Sequence, residues 1–201
     1  MFTCLPLDAL PSVPEHFVDL ARRKAVERGV NQNAKYYPVP GFADRDVRLA
    51  DGTTSKTRKA ESYDMGPEWD AWVRENIVSN FIETGVRLST GHSAPIHGAH
   101  VDNPVKWKFF YLIDEGGDNV LTSFYVEDGH EAVRVCEEGQ LVMCNDYSRL
   151  TKIDTVHIPV NQWVLFDTRV MHGVENILRD RVVLTVSVDP STIAFEAKLK
   201  K

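Results

Sequence analysis

The chain has 201 residues, of which 43% are hydrophobic and 26% are charged. This composition is typical of a globular protein, and the length suits a single domain over residues 1–201. The formal net charge of −6 argues against a protein that binds nucleic acid or a membrane surface, because phosphate binding needs a basic face. The cysteines are odd in number and irregularly spaced, which predicts a reducing, cytoplasmic location.

Two helices are predicted in the first part of the chain. The first begins at "SVPE", where Ser12 is expected to cap the helix and Glu15 to complete a capping box, and it ends at Gly29. The second is predicted over residues 67–85, between a proline and a glycine, because its tryptophans and aliphatic residues recur at helical spacing.

Residues 31–66, between these helices, are polar and read as a long loop. Asp51-Gly52 is a possible hairpin turn within it. A connection of this length is either a lid over an active site or a solvated insertion, and the sequence leaves both readings open.

After residue 85 the pattern changes to short β-rich runs separated by turn signals, for example "FFYLI", "WVLF" and "RVVLTVSV". Many short strands at close spacing indicate a sandwich or a barrel. The expected fold is therefore α+β and mainly β, with a helical N-terminal part over residues 1–85 and a β core over residues 86–190.

The segment "HGAHVDNP" contains three potential metal ligands, His97, His100 and Asp102. Residues two apart on a strand point to the same face, whereas residues three apart do not. If the segment is extended, His100 and Asp102 can share one ion while His97 turns away.

The best candidate for a third ligand is His172, in "TRVMHGVEN". Two imidazoles and one carboxylate on one face of an ion form the facial triad of non-haem Fe(II) oxygenases, which leaves coordination positions open. None of the cysteines lies near these residues in the sequence, so the pattern does not favour a closed structural zinc site.

The strand "RVVLTVSVD" carries one wholly apolar face and one face that includes Arg181 and Thr185. A polar row on so apolar a strand indicates that it lines a pocket. The Arg181 guanidinium can bind a carboxylate with two hydrogen bonds, and Thr185 can donate another. Metal ligands at one end and a carboxylate anchor at the other suit a five-carbon keto-diacid.

The ordered set of His100-Val101-Asp102, a distal His172, Arg181 nine residues later and Thr185 resembles the 2-oxoglutarate/Fe(II)-dependent dioxygenase superfamily, in particular its prolyl-4-hydroxylase-like branch. The resemblance covers about residues 86–190. "FFYLIDEGGDN" is similar to the family's Tyr-Leu strand followed by a Gly-Gly turn. On that match Tyr111 would contact the distal carboxylate of 2-oxoglutarate.

The resemblance implies a double-stranded β-helix, or jelly roll, with the N-terminal helices packed on one sheet. It implies a catalytic metal site at His100, Asp102 and His172 for Fe(II), with 2-oxoglutarate bound by Arg181, Tyr111 and Thr185. The implied reaction uses O2, converts 2-oxoglutarate to succinate and hydroxylates a peptide side chain or a small molecule.

Two other functions stay open at this point. A cupin-like metalloenzyme that does not use 2-oxoglutarate would explain "HGVEN", although the first cupin motif, His-x-His with a following Glu, is missing. A non-catalytic jelly-roll binding module is the other.

Overall fold

The structure is a computed structural model that describes residues 4–27, 46–56, 59–90, 96–102, 107–128, 134–137, 141–144 and 146–189. Its described part is mainly β, with two α-helices, α1 (Glu15–Val26) and α2 (Pro67–Asn76). Two antiparallel six-stranded sheets pack face to face as a β-sandwich, which is consistent with a jelly roll. No described helix is long and apolar enough to cross a membrane.

The two sheets divide the strands between them. In spatial order, the first sheet contains β1 (Cys4–Pro6), β12 (Trp163–Asp167), β7 (Trp107–Asp114), β14 (Arg181–Val188), β5 (Glu83–Thr90) and β4 (Lys59–Tyr63). The second sheet contains β11 (Leu150–Val156), β8 (Leu121–Glu127), β13 (Met171–Glu175), β6 (His97–Asp102), β10 (Leu141–Cys144) and β9 (Arg134–Glu137).

Both helices pack on the outer face of the first sheet, as the resemblance implies. Phe17 of α1 and Trp69 of α2 join the alternate residues of β5, β7, β12 and β14 in one apolar cluster, which we call the helix-facing core. The Trp69 indole is fully buried and donates a hydrogen bond of 2.6 Å to Thr84 Oγ1. The two helices thus cover the outer face of the first sheet.

The interior between the two sheets is lined by the other residues of the same strands. Its apolar part contains Leu112, Val164, Phe166 and Val183 from the first sheet and Phe124 from the second. Side chains on a strand alternate between faces, so each central strand of the first sheet contributes one row to the helix-facing core and one to this interior.

Several local predictions are wrong. No side chain caps α1, and Pro14 occupies the cap position predicted for Ser12. The second helix ends at Asn76 rather than near residue 85, because the chain from Glu83 onward pairs with β14 as β5. Tertiary pairing here overrides the helical periodicity of the sequence. The predicted end of the first helix, Gly29, lies outside the described residues.

The predicted long loop also contains regular structure. Residues 46–56 form a hairpin of β2 (Asp46–Arg48) and β3 (Thr54–Lys56), with a turn at Asp51-Gly52 as predicted. Its fully buried Val47 packs against residues such as Ala99 and Tyr147. Strand β4 adds to the first sheet, so that sheet extends past the predicted boundary at residue 85. Residues 28–45 and 57–58 lie outside the described part.

Candidate metal centre and co-substrate pocket

Three buried ligand groups meet in the interior of the sandwich. His100 and Asp102 lie on β6, and His172 lies on the neighbouring β13, directly opposite His100 in the register of the two strands. One ligand atom from each of the three lies within 4.8 Å of the others. The structure therefore brings together the three residues that the sequence predicted. The side chain of His97 is not among those that the structure describes.

Each histidine is oriented by its own backbone. The Nδ1 atoms of His100 and His172 lie 2.8 Å from the carbonyl oxygens of Gly98 and Val170, each two residues earlier in the chain. A ring nitrogen that bonds to a carbonyl must carry the proton, which leaves the Nε2 lone pair to bind a metal.

Burial keeps both imidazoles neutral. It is the largest cause that lowers the pKa of His100 to about 3, followed by the proximity of His172. Burial likewise lowers the pKa of His172, although Asp102 opposes that shift. Because a histidine binds a metal in its neutral form, this environment prepares both rings as ligands at neutral pH.

Asp102 is held by a lysine from the opposite sheet. Lys108 Nζ donates a hydrogen bond of 2.6 Å to Asp102 Oδ2, and both side chains are buried. Burial by itself would raise the pKa of Asp102, but the charge of Lys108, followed by the proximity of His100, outweighs it and lowers that pKa well below its usual range. The other oxygen, Oδ1, lies 3.5 Å from His100 Nε2. One oxygen is thus engaged, and the other faces the histidines.

This donor set fits a divalent transition metal. Ligand atoms at about 2.1 Å from a shared ion lie about 3 Å from one another when they occupy adjacent positions, so small side-chain movements would suffice to close the site. Two imidazoles and a carboxylate suit iron and related metals, and no cysteine belongs to the cluster. The residues present therefore fit the Fe(II) that the family resemblance implies.

Aromatic packing fixes the ring of His172. Phe166, on β12 of the first sheet, meets it edge-on with ring centroids 4.7 Å apart. Phe124 lies beside both rings, at 5.1 Å from Phe166 and 6.5 Å from His172. These apolar contacts limit the movement of the ligand and exclude water from one side of the site.

Arg181 is a buried cation at the start of β14, on the interior face of the first sheet. Only 8% of its surface is exposed, and its Nε atom has no hydrogen-bond partner among the described residues. Burial, and then the charge of Arg87, lower the pKa of Arg181 to about 10, while Glu115 opposes the shift. A buried guanidinium with an unused donor is prepared to bind an anion.

A glycine turn allows the approach of Arg181. Gly116 has a φ of +82°, and a Cβ on it would lie 2.9 Å from the Cβ of Arg181. The carbonyl oxygen of Gly116 also accepts hydrogen bonds from the backbone N–H groups of Leu178 and Arg179, at 2.7 and 2.6 Å. The "EGGDN" turn is thus fitted against the chain that leads into β14.

The other two predicted co-substrate contacts have different outcomes. Thr185 shares the interior face of β14 with Arg181 and is half-buried. Tyr111 points the other way, because its ring lies in the helix-facing core, 5.2 Å from the ring of Trp163. The predicted contact between Tyr111 and a co-substrate carboxylate is therefore wrong in this structure.

Two basic residues of this interior were not predicted from the sequence. Lys108 begins the interior row of β7, and Arg87 lies on β5, two residues beyond the end predicted for the second helix. A polar row of Gly85, Arg87 and Ser89 alternates with apolar Val86 and Leu88. This alternation was the signal that could have identified both the strand and the arginine.

Comparison with known proteins gives likeness in fold only. No family model and no curated protein matches the chain. A 2OG-Fe(II) oxygenase family oxidoreductase from Burkholderia pseudomallei is 10% identical with a TM-score of 0.46, over 92% of this chain and 84% of that one. A Pseudomonas putida prolyl-4-hydroxylase is 13% identical with a TM-score of 0.45, over 92% of both chains.

A Bacillus subtilis oxalate decarboxylase mutant is 15% identical with a TM-score of 0.33, over 67% of this chain and 26% of that one. Solved structures of 2OG-Fe(II) oxygenases, a prolyl-4-hydroxylase among them, are thus among those similar to this fold. Likeness at these identities and TM-scores carries no inference about activity, which depends on the side chains of the site.

Proposed function

We propose that the protein is an Fe(II)- and 2-oxoglutarate-dependent oxygenase that hydroxylates a peptide side chain or a small molecule. The observation that carries this proposal is the cluster of His100, Asp102 and His172, with ligand atoms within 4.8 Å of one another, in an interior that also holds the buried Arg181. A three-residue metal site leaves coordination positions for a chelating co-substrate and O2.

The chain's own residues supply orientation and exclusion of water. The histidines present Nε2 to the metal, and Lys108 orients the Asp102 carboxylate. Arg181 binds the far carboxylate of 2-oxoglutarate, with Thr185 beside it on the same face of β14. Bound Fe(II) and 2-oxoglutarate supply the oxidising chemistry, in which O2 is activated, 2-oxoglutarate becomes succinate and CO2, and a C–H bond is hydroxylated.

We also propose that the central strands form a double-stranded β-helix within one domain. Strands β5, β7, β12 and β14 belong to the first sheet, whereas β6, β8, β11 and β13 belong to the second. From β5 to β14 the chain crosses between the sheets at every step except from β8 through β11, which all belong to the second sheet. This alternation is the winding that the fold requires. The predicted cytoplasmic location stays a prediction from the cysteine pattern.

The buried Arg181 favours this function over a cupin-like enzyme without a 2-oxo acid. A buried charge is costly unless an anion or hydrogen bonds compensate it. An activity that needed only the metal would give no reason to bury this guanidinium with an unused Nε donor. It also argues against a purely structural jelly roll, for the same reason.

The test is an anaerobic titration of the protein with Fe(II) and then 2-oxoglutarate, followed by visible absorbance. We expect a metal-to-ligand charge-transfer band that requires both additions. Arg181→Met should weaken 2-oxoglutarate binding by at least about tenfold, since it removes a charge-assisted hydrogen-bond pair. Arg179→Met is the matched control, because Arg179 is 69% exposed and pairs with the exposed Asp118.

Absence of the band in the wild-type protein would contradict the proposal. Binding of Fe(II) with no dependence on 2-oxoglutarate, together with an unchanged Arg181→Met variant, would support the cupin-like reading. Failure to bind any iron-group metal would support the non-catalytic one.

A further inference from the structure

The turn between β12 and β13 holds two residues of opposite charge at the metal end of the sandwich. Residues 168–170 form this turn, where the chain passes from the first sheet to the second. Asp167 is the last residue of β12 and is only 1% exposed, and Arg169 follows it by two residues. The proposed function uses neither of these side chains.

The carboxylate of Asp167 closes the turn. Its Oδ1 atom accepts hydrogen bonds from the backbone N–H of Arg169 at 3.0 Å and from Nε of the same residue at 2.9 Å. Its Oδ2 atom accepts a bond of 2.7 Å from Nη2 of Arg169. The guanidinium carbon also lies 5.1 Å from the centre of the Trp107 ring. One carboxylate, a two-bond guanidinium contact and a cation–π contact therefore hold the conformation of the turn.

The backbone of the same turn contacts two of the three metal ligands. The carbonyl oxygen of Thr168 accepts a hydrogen bond of 3.1 Å from the backbone N–H of Asp102. The carbonyl oxygen of Val170 accepts the bond of 2.8 Å from Nδ1 of His172. These two carbonyl groups lie on either side of Arg169 in the chain. Two ligands on different strands thus depend on the conformation of one short turn.

Asp167 itself lies outside the interior. Phe166 belongs to the interior cluster, whereas Leu165 belongs to the helix-facing core. Alternation along β12 therefore directs Asp167 away from the metal, and among the described residues it is not part of the ligand cluster. Any effect of this carboxylate on the metal centre is transmitted through the backbone of the turn.

We propose that Asp167 and Arg169 are positioning residues of the metal centre, whose paired side chains hold the turn carbonyls that orient Asp102 and His172. A buried ion pair is weak evidence for stability, because an apolar pair of similar size is often as stable. A role in orienting the ligands gives a reason for this pair at this turn. The inference rests on the metal site of the proposed function and adds two residues that do not touch the metal.

The test measures the metal centre directly, by Mn(II) titration calorimetry and by the visible absorption spectrum of the Co(II)-loaded protein. Arg169→Met should weaken Mn(II) binding by about tenfold, the lower end of the usual effect of groups that orient metal ligands. It should also change the Co(II) bands, which depend on coordination geometry. Arg169→Lys should recover part of the affinity, because its ammonium group can donate one of the lost bonds.

Asp167→Asn provides a second variant that removes the charge and keeps the size of the side chain. It should weaken Mn(II) binding by a similar factor. Combining it with Arg169→Met should add little further loss, since both substitutions break the same pair.

Two control variants separate positioning from stability. Trp69→Ala removes a buried ring of the helix-facing core, so it lowers stability and should leave the Mn(II) affinity and the Co(II) spectrum unchanged. Arg179→Met breaks an exposed guanidinium–carboxylate pair and should also change neither. The Arg169 side chain is 51% exposed, so we expect Arg169→Met to fold. Circular dichroism and thermal melting check each variant.

The outcomes separate this inference from the proposed function. Mn(II) affinity within about threefold of wild type and an unchanged Co(II) spectrum in Arg169→Met and Asp167→Asn would show that the pair is only structural, and the oxygenase proposal would stand. An equal loss of Mn(II) affinity in Trp69→Ala would also overturn the inference, because the effect would then follow from lost stability. If wild type binds neither Mn(II) nor Co(II), both proposals fail.

Discussion

The two faces of β14 have opposite roles in the first sheet. Its even-numbered residues, Val182, Leu184, Val186 and Val188, are all buried in the helix-facing core. Its interior face places Arg181, Thr185 and Ser187 toward the second sheet, with Val183 among them. Apolar burial on the first face stabilises the fold, whereas burial of charge on the second destabilises it. Polar groups retained at that cost indicate a binding function.

The same contrast separates two lysine–carboxylate pairs. Lys108 and Asp102 are about equally buried and join the two sheets across the metal centre. Lys152 and Glu175 pair at the surface of the second sheet, where the lysine side chain is 45% exposed. An exposed pair contributes little because water screens it, whereas a buried pair controls the orientation of a ligand. The predictions that follow test these contrasts.

The largest expected effect is on the helix-facing core. Trp69→Ala removes a fully buried ring that contacts Phe17 and Trp72, and we expect a loss of about 3–5 kcal/mol in the free energy of unfolding. Urea unfolding measures it. Trp72→Ala, at a partly buried position, should cost less. The metal affinity of the folded Trp69→Ala protein should stay near that of wild type. A loss of metal binding along with the loss of stability would contradict the separate roles of the helix-facing core and the interior.

Lys108→Met should act on the metal centre instead. It leaves Asp102 Oδ2 without its buried hydrogen-bond donor, and changes to groups that orient a metal ligand typically weaken metal binding by about 10- to 100-fold. Mn(II) titration calorimetry measures the affinity. Lys152→Met is the matched control and should leave it unchanged. If metal binding is unchanged or tighter in Lys108→Met, the lysine does not position Asp102.

Arg181→Met should stabilise the ligand-free protein. The substitution removes a buried charge whose Nε atom has no partner among the described residues, and a well-packed apolar chain of similar length avoids that desolvation cost. We expect a gain on the order of 1 kcal/mol in urea unfolding, alongside the weaker 2-oxoglutarate binding expected above. A substantial loss of stability would show that Arg181 has a structural role.

The smallest expected effect concerns Glu175. Burial would raise its pKa, but hydrogen bonds from Lys152 and Tyr125 outweigh it and lower the pKa. The resulting stabilisation is therefore present above the unfolded pKa of about 4.3 and lost as the pH falls through the lower folded pKa. Glu175→Gln should lower the free energy of unfolding by about 1 kcal/mol near pH 7. The difference in free energy of unfolding between Glu175→Gln and wild type should narrow below about pH 4.5. A difference that does not depend on pH would show that it does not arise from the charge of Glu175.

The sequence predicted the metal ligands because their positions depend on two simple regularities. His100 and Asp102 share a face through strand alternation, and the distal residues follow in an order that resembles a known family. The hairpin turn at Asp51-Gly52 was likewise readable from its dipeptide. Each of these features is local, or depends on the order of residues alone.

The predictions that were wrong, and the residues that were not predicted, depend on which strands pair. The segment "WKFFYLID" has large side chains on both faces and both faces are buried, so alternation does not reveal that Lys108 faces the interior and Tyr111 does not. Residues 77–85 keep a helical spacing of apolar groups, yet the helix ends at Asn76 and the chain is extended from Glu83, where β14 provides a hydrogen-bonding partner. Arg87 lies on the same strand, β5, whose pairing was not predicted.

The most direct test of the metal site is calorimetric titration of the metal-free protein with Mn(II), comparing wild type with His172→Ala and His157→Ala. His157 is a matched control, because it lies at the surface beside Glu115. We expect one ion per chain in wild type and in His157→Ala, and at least about 100-fold weaker binding in His172→Ala, which loses a ligand. Equal Mn(II) affinity in all three proteins would contradict the assignment of the metal centre.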